Sequence, residues 1–265
     1  MFPYIQEPVL RLGPLQLTAF QICVALATVT GYLGVEWRAK KAGWDRQLAL
    51  GIVLPAMLAG FVGSHVFDVL LYQPQAVRRN PLLLLEIWGS MSSYGGLIGG
   101  IAGALFVVWR RRLSRAQLLE FFDMMAFVFP FAWIFGRLGC ALAHDHIGIP
   151  STSFLAVRFP EGPRFDLGLL ELFATVLIAL LFALLDRRPR PRGLYLALFF
   201  ALYGPVRFTV DALRTGDERY LGWTPGQYAS IAACLYGIWL LTKVGGHGFS
   251  AAPWPKSTPQ RHLPP

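Results

Sequence analysis

The chain has 265 residues, 55% of them hydrophobic and only 15% charged, with a mean hydropathy of +0.48. A soluble domain is about 45–50% apolar and about 25% charged, so this composition excludes a soluble enzyme and points to an integral membrane protein. The net charge of +9 does not mark a nucleic-acid binder, because its basic residues alternate by loop as they do beside membrane helices.

Seven apolar windows reach the length of about 17–25 residues that crosses a bilayer. The first, near 15–35, follows a single basic residue, Arg11, and reads as an uncleaved span and not a cleaved leader. The second, 48–72, carries His65 and Asp68 three residues apart in FVGSHVFDVLL. These form either a proton relay or a buried hydrogen-bonded pair. Segment 73–92 follows, where LLLLEIW (82–88) reads as an arm lying in the membrane interface.

The third window, 93–109, opens with YGGLIGG. Gly95, Gly96, Gly99 and Gly100 leave one helix surface bare, suited to close approach by another backbone or by a lipid head. The fourth, 118–143, contains Asp123 and ends in GRLGCALAHDHIGIP. A guanidinium cannot be neutralised in a protein and costs several kcal/mol or more in hydrocarbon, so Arg137 must face a polar partner or grip an anion. In a membrane the abundant anion is a lipid phosphate; Asp123 and Asp68 are the alternative partners. Arg137 and Cys140 share a helical face, so either the arginine holds a thiolate there or Cys140 is a buried structural residue. The triplet His144, Asp145, His146 lacks a further outward-facing histidine to complete a site, and no metal or cofactor is expected. Cys23, Cys140 and Cys234 form no disulfide framework. Residues 144–166 are expected to form a small outer head.

The fifth window is 167–185, carrying Glu171. The sixth, 193–213, contains YGPVRFTVDALR, where Tyr203, Arg207, Asp211 and Arg214 fall at i, i+4, i+8 and i+11, one polar stripe along a helix. Asp211 is placed to orient Arg207, Tyr203 to offer a hydroxyl, and Pro205 to kink the helix and free a carbonyl. A purely structural ion pair is the other reading. The seventh window is 226–243. Loops 36–47, 110–117 and 186–192 each carry four basic residues, and Lys243, Lys256 and Arg261 add three, against seven on the opposite side. By the positive-inside rule the N-terminus lies outside and the C-terminus in the cytoplasm. The expected architecture is therefore an all-α polytopic protein: residues 1–243 form a seven-helix membrane domain, and 244–265 a disordered cytoplasmic tail. The sequence gives no oligomeric state.

At these residues the chain resembles the bacterial prolipoprotein diacylglyceryl transferase family. The matching pieces GSHVFDVL, SYGGLIGG, GRLGCALAHDHIGIPS, YGPVRF-VDALR and GWTPGQYASI keep family order and spacing. The resemblance implies that the diacylglyceryl group of phosphatidylglycerol moves to a lipoprotein signal-peptide cysteine thiol, with release of glycerol-1-phosphate, in the bacterial cytoplasmic (inner) membrane. It implies that Arg137 and Arg207 hold the lipid phosphate, that Asp211, in place of a glutamate, orients Arg207, and that Tyr203 and Arg214 match directly. Asp145 stands for a second glutamate, while Gly95, Gly96, Cys140 and Gly148 complete the substrate-binding set. Besides these two aspartates, three positions and one segment depart from the family pattern. Tyr94 replaces a histidine, Cys140 an asparagine and Phe20 a tyrosine, and FDLGLLE keeps only Leu169 and Glu171 of its segment. Tyrosine, with a reference pKa near 10 against about 6.5 for histidine, is a poor base at neutral pH. Two other functions fit the residues: a catalytically inactive paralogue that binds phospholipid or signal peptides, and a small-anion or lipid transporter.

Overall fold

The computed structural model describes residues 1–13, 15–86 and 91–244. The expected tail and the end of the LLLLEIW segment lie outside the described residues. Each apolar window falls on a helix. These are α1 (Ala19–Lys41), α2 (Arg46–Tyr72), α4 (Ser93–Arg110), α5 (Arg115–Ala143), α6 (Leu167–Leu185), α7 (Leu194–Ala212) and α8 (Pro225–Val244), with a short α3 (Pro74–Arg79) after α2. Five of them, α1, α2, α5, α6 and α7, are long and apolar enough to cross a membrane. The protein is mostly helical and multi-pass in character.

Two features depart from a purely helical reading. Strands β2 (Val9–Leu12) and β3 (Leu15–Thr18) form an antiparallel hairpin, so the first helix starts later than the apolar window does. The start is fixed by a reciprocal cap: Gln21 N–H donates to Thr18 Oγ1 (3.3 Å) and Thr18 N–H to Gln21 Oε1 (3.0 Å). Second, residues 144–166 carry β4 (Ile147–Pro150), β5 (Val157–Phe159) and β6 (Gly162–Asp166), which join β1 (Phe2–Pro3) in a sheet ordered β1-β5-β6-β4. Strand β1 runs parallel to β5, with Phe2 opposite Val157; the other pairs are antiparallel.

The chain divides into two compact units. The first comprises Met1–Gly31, Ala126–Arg188 and Tyr195–Thr242. Its core contains an aromatic knot from α5, α6 and α7: Tyr195 meets Phe127 edge-on at 4.9 Å and Phe182 at 5.2 Å. Such pairs add about 0.5–1.5 kcal/mol beyond their buried area. Pro205 lies inside α7 without ending it. A proline deprives the carbonyl four residues earlier of its donor, and that carbonyl, Ala201 O, lies 3.9 Å from Cys234 Sγ on α8.

The second unit comprises, among the described residues, Tyr32–Met125, Pro189–Leu194 and the end of α8 from Lys243. Here α2 and α4 pack backbone to backbone. A Cβ on Gly95 would fall 2.5 Å from Gly63 O, and one on Gly99 would fall 2.3 Å from Ala59 O. The glycine stripe of YGGLIGG thus serves close helix packing. Ser92 caps α4 and accepts, through its carbonyl, a bond from Ser64 Oγ (2.9 Å). His65 Nε2 lies 2.9 Å from Leu83 O in the 3-10 turn Pro81–Leu85, and Asp68 accepts from Gln73 (3.0 Å).

Candidate active site

The first unit's chemistry is assembled where α5, α6 and α7 meet the small sheet. Asp166 ends β6 and caps α6, accepting from Leu169 N–H (3.0 Å), while its other oxygen lies 2.5 Å from His144 Nδ1. Burial pushes the Asp166 carboxyl above its ordinary value, against the opposing pull of His144 and the Leu169 amide. His144 Nε2 reaches Ile5 O (2.9 Å), and the ring stacks on Tyr4 at 4.8 Å. The histidine first considered for a metal therefore ties the N-terminal strand to the helix cap.

Gly168 sets the next contact. A Cβ there would lie 2.8 Å from Ala141 N, so α6 approaches the α5 backbone at Cys140–Ala141 as only a glycine allows. One turn further along, this brings Glu171 against Arg137. Glu171 is the single charged residue in α6, and it is fully buried. Arg137 Nε lies 3.1 Å from its Oε1, and Arg207 NH1 lies 2.8 Å from its Oε2. Tyr203 OH donates to Glu171 as well, and Trp133 Nε1 lies 3.4 Å from Oε1 and 3.1 Å from Tyr203 OH. One carboxylate therefore takes donors from two helices.

Both arginines are almost wholly buried, at 2% and 3% exposure. Arg137 packs its guanidinium over the Trp133 ring at 4.5 Å and donates to Cys140 Sγ (3.5 Å). Its carboxylate partner here is Glu171, where the sequence suggested Asp123 or Asp68. Those two are residues of the second unit, and the α5–α6 contact at Gly168 is what brings Glu171 to Arg137.

Arg207 NH2 reaches Asp211 Oδ1 one turn along α7 (3.0 Å). The other oxygen of Asp211 accepts from Thr224 Oγ1. Thr224 also opens α8 through a reciprocal cap, with Gln227 N–H to Oγ1 and Thr224 N–H to Gln227 Oε1, both 3.1 Å. Arg214 lies 3.8 Å from Asp211 and makes its closer pair with Asp217 (2.6 Å), whose carboxyl burial raises above its ordinary value. The charges alternate along the whole row: Arg137, Glu171, Arg207, Asp211, Arg214, Asp217.

The expected stripe of Tyr203, Arg207, Asp211 and Arg214 is thus one connected network, joined by Arg137 and Cys140 from α5. Gly148 sits beside it: Arg164 Nε donates to its carbonyl (2.8 Å), it bridges to Arg214, and a Cβ there would lie 2.8 Å from Leu167. Asp145 lies at the edge, its carboxylate 3.4 Å from His146 Nδ1. Burial lowers the His146 imidazole below its ordinary range despite that carboxylate.

The sequence matches the prolipoprotein diacylglyceryl transferase family over residues 7–243. A phosphatidylglycerol–prolipoprotein diacylglyceryl transferase of Nitratidesulfovibrio vulgaris (strain DP4) is 32% identical over 266 residues, covering 95% of this chain and 99% of its own. Proteins of the same name from Francisella tularensis subsp. holarctica (31% identity, 92% and 94%) and Acinetobacter baylyi (27%, 91% and 92%) are similar over nearly their full length. The chain belongs to the prolipoprotein diacylglyceryl transferase family. Tyr94, Gly95 and Gly96, the remaining residues singled out by resemblance to that family, fall in the second unit. Tyr94 is buried at the start of α4, Gly95 faces α2 at Phe67 and Gly63, and Gly96 faces Gly60 and Ser64 at ordinary contact distance. Glu171, Thr224, Trp133 and Asp217 are network members that the sequence did not single out as site residues.

Proposed function

We propose that this protein transfers the diacylglyceryl group of phosphatidylglycerol to the lipobox cysteine thiol of a prolipoprotein. The sulfur attacks the glyceryl carbon that carries the phosphate, an S–C bond forms, the C–O bond to phosphate breaks, and glycerol-1-phosphate departs with the thiol proton. Membership of the family supports the reaction. The observation that carries the site assignment is the convergence of Arg137 and Arg207 on one buried carboxylate. Negative charge develops on the leaving phosphate oxygen, and fixed guanidiniums in a dry site stabilise such charge far better than water does. Asp211 orients Arg207. Tyr203, Arg214, Asp145, Cys140 and Gly148 belong to the same network, and resemblance to the family assigns Tyr94 to the reaction, while Gly95 and Gly96 face α2.

We place the protein in the bacterial cytoplasmic membrane with seven spans, α1, α2 and α4 to α8, an outer N-terminus and a cytoplasmic C-terminus. The alternation of basic loops supports this orientation. The test is direct. The purified protein, supplied with phosphatidylglycerol micelles and a lipobox peptide, should add one diacylglyceryl mass to the peptide and release equimolar glycerol-1-phosphate. Binding of the lipid without either product would identify a lipid-binding paralogue.

A further inference from the structure

Glu171 is buried between two cations in a helix that is otherwise uncharged. Its two oxygens are divided between them, with Oε1 toward Arg137 and Oε2 toward Arg207. Two guanidiniums brought this close in a medium of low dielectric repel each other strongly. A shared carboxylate offsets that repulsion: Arg207 NH1 donates to Oε2 at 2.8 Å and Arg137 Nε lies 3.1 Å from Oε1, so each guanidinium is held to its own oxygen. Tyr203 and Trp133 add neutral donors to the same carboxylate from α7 and α5, so its own orientation is held from two sides. Arg137, Arg207, Glu171 and Asp211 together carry no net charge.

From this geometry we infer that Glu171 is the positioning residue of the two-arginine clamp: it holds both guanidiniums in the arrangement that receives a phosphodiester and stabilises its departure. The inference rests on the transferase reading above and adds a separable property. Glu171 opposes the ground-state binding of an anion while improving the alignment that serves the transition state. Removing its charge without its shape should split the two effects, since binding follows net charge and turnover follows alignment.

The experiment uses the full-length protein, with kcat and the KM for phosphatidylglycerol measured per folded molecule, and with lipid binding followed separately by native mass spectrometry. Glu171→Gln should lower kcat by about 10²-fold or more while tightening the lipid affinity and lowering the KM, because the cluster gains one positive charge. Glu171→Asp keeps the charge but is too short to reach both arginines, and should fall between the two. A purely structural role would lower the yield of folded protein and leave both constants per folded molecule as they were; that result overturns the proposal, as does a Gln variant that binds the lipid more weakly. Should Glu171→Gln not fold, Tyr203→Phe and Trp133→Phe carry the test. Each removes one neutral donor to Oε1, and each should lower kcat about 10-fold at unchanged KM; unchanged kcat in both overturns the proposal. If the unmodified protein transfers nothing, the transferase reading fails and the binding arm decides alone. Tighter lipid binding by the Gln variant then sustains the clamp, and unaltered binding removes it.

Discussion

Replacing Arg207 by lysine keeps the charge and changes only its shape. In the structure Arg207 spans two carboxylates at once, NH1 to Glu171 at 2.8 Å and NH2 to Asp211 at 3.0 Å. A lysine ammonium is a point donor at the end of a flexible stem and cannot reproduce that fork. The fold should survive, because Asp211 keeps its bond from Thr224 and Glu171 keeps Arg137, so neither carboxylate is stranded. Losing one charge-assisted bond costs about 1.5–3 kcal/mol in stability. The transition state loses more, since a single preorganised donor to a developing oxyanion is worth about 2.7–4 kcal/mol, or about 10²–10³ in rate. Initial rates of diacylglyceryl transfer to a lipobox peptide, with thermal stability recorded alongside, measure both quantities. If Arg207→Lys transfers at the unmodified rate, charge alone suffices, and the argument from bidentate geometry is refuted.

Three further outcomes are expected. Tyr94→Phe should lower transfer by at most about 10²-fold, the scale of one neutral hydrogen bond plus positioning, because the acceptor thiol with its reference pKa near 8.5 is already partly ionised at neutral pH. Arg137→Ala should cost more than Tyr94→Phe, and a reversed ranking of the two rates contradicts this assignment. In a background lacking Cys23, Cys140 and Cys234, a cysteine at Arg190 should resist an impermeant maleimide added to cells, whereas one at Phe154, 74% exposed, should react; the opposite labelling pattern inverts the topology. Burial depresses the pKa of His146, so the folded state binds fewer protons than the unfolded state, and stability should fall as pH drops below about 6.5. Thermal unfolding between about pH 5 and 7 should show a pH dependence that weakens in His146→Asn, and equal slopes in the two proteins would exclude His146 as its source.

Much of the helical architecture was legible because hydrocarbon imposes one rule, a long apolar run, on every span. The polar stripe of α7 was legible for a related reason: Tyr203, Arg207, Asp211 and Arg214 recur at helical spacing where nothing polar should be. Glu171 satisfied the same rule, as a lone charge in LGLLELFATVLIALLFALL. Its role was missed because its partners sit on α5 and α7, and only the close approach at Gly168 reveals which cations it serves. Thr224 escaped for a similar reason: TPGQ reads as a helix start, and its bond to Asp211 appears only when α7 and α8 are folded together. The strands of the head run two to five residues, too short for a periodic signal, and one of them takes its partner from the other end of the segment order.

That partner has a consequence for how the molecule is made. Phe2 pairs with Val157, so β1 must wait through the synthesis of α1, α2, α4 and α5 before its ladder exists. Closing so long a loop is entropically unfavourable, though each doubling of length adds only about 0.6 kcal/mol. The N-terminal strand is therefore a late-arriving clasp held by a two-residue ladder, the Tyr4–His144 stack and the Ile5 carbonyl. A fusion or tag placed before Met1 hangs from this clasp, next to the residue that caps α6 and so fixes the start of the helix bearing Glu171.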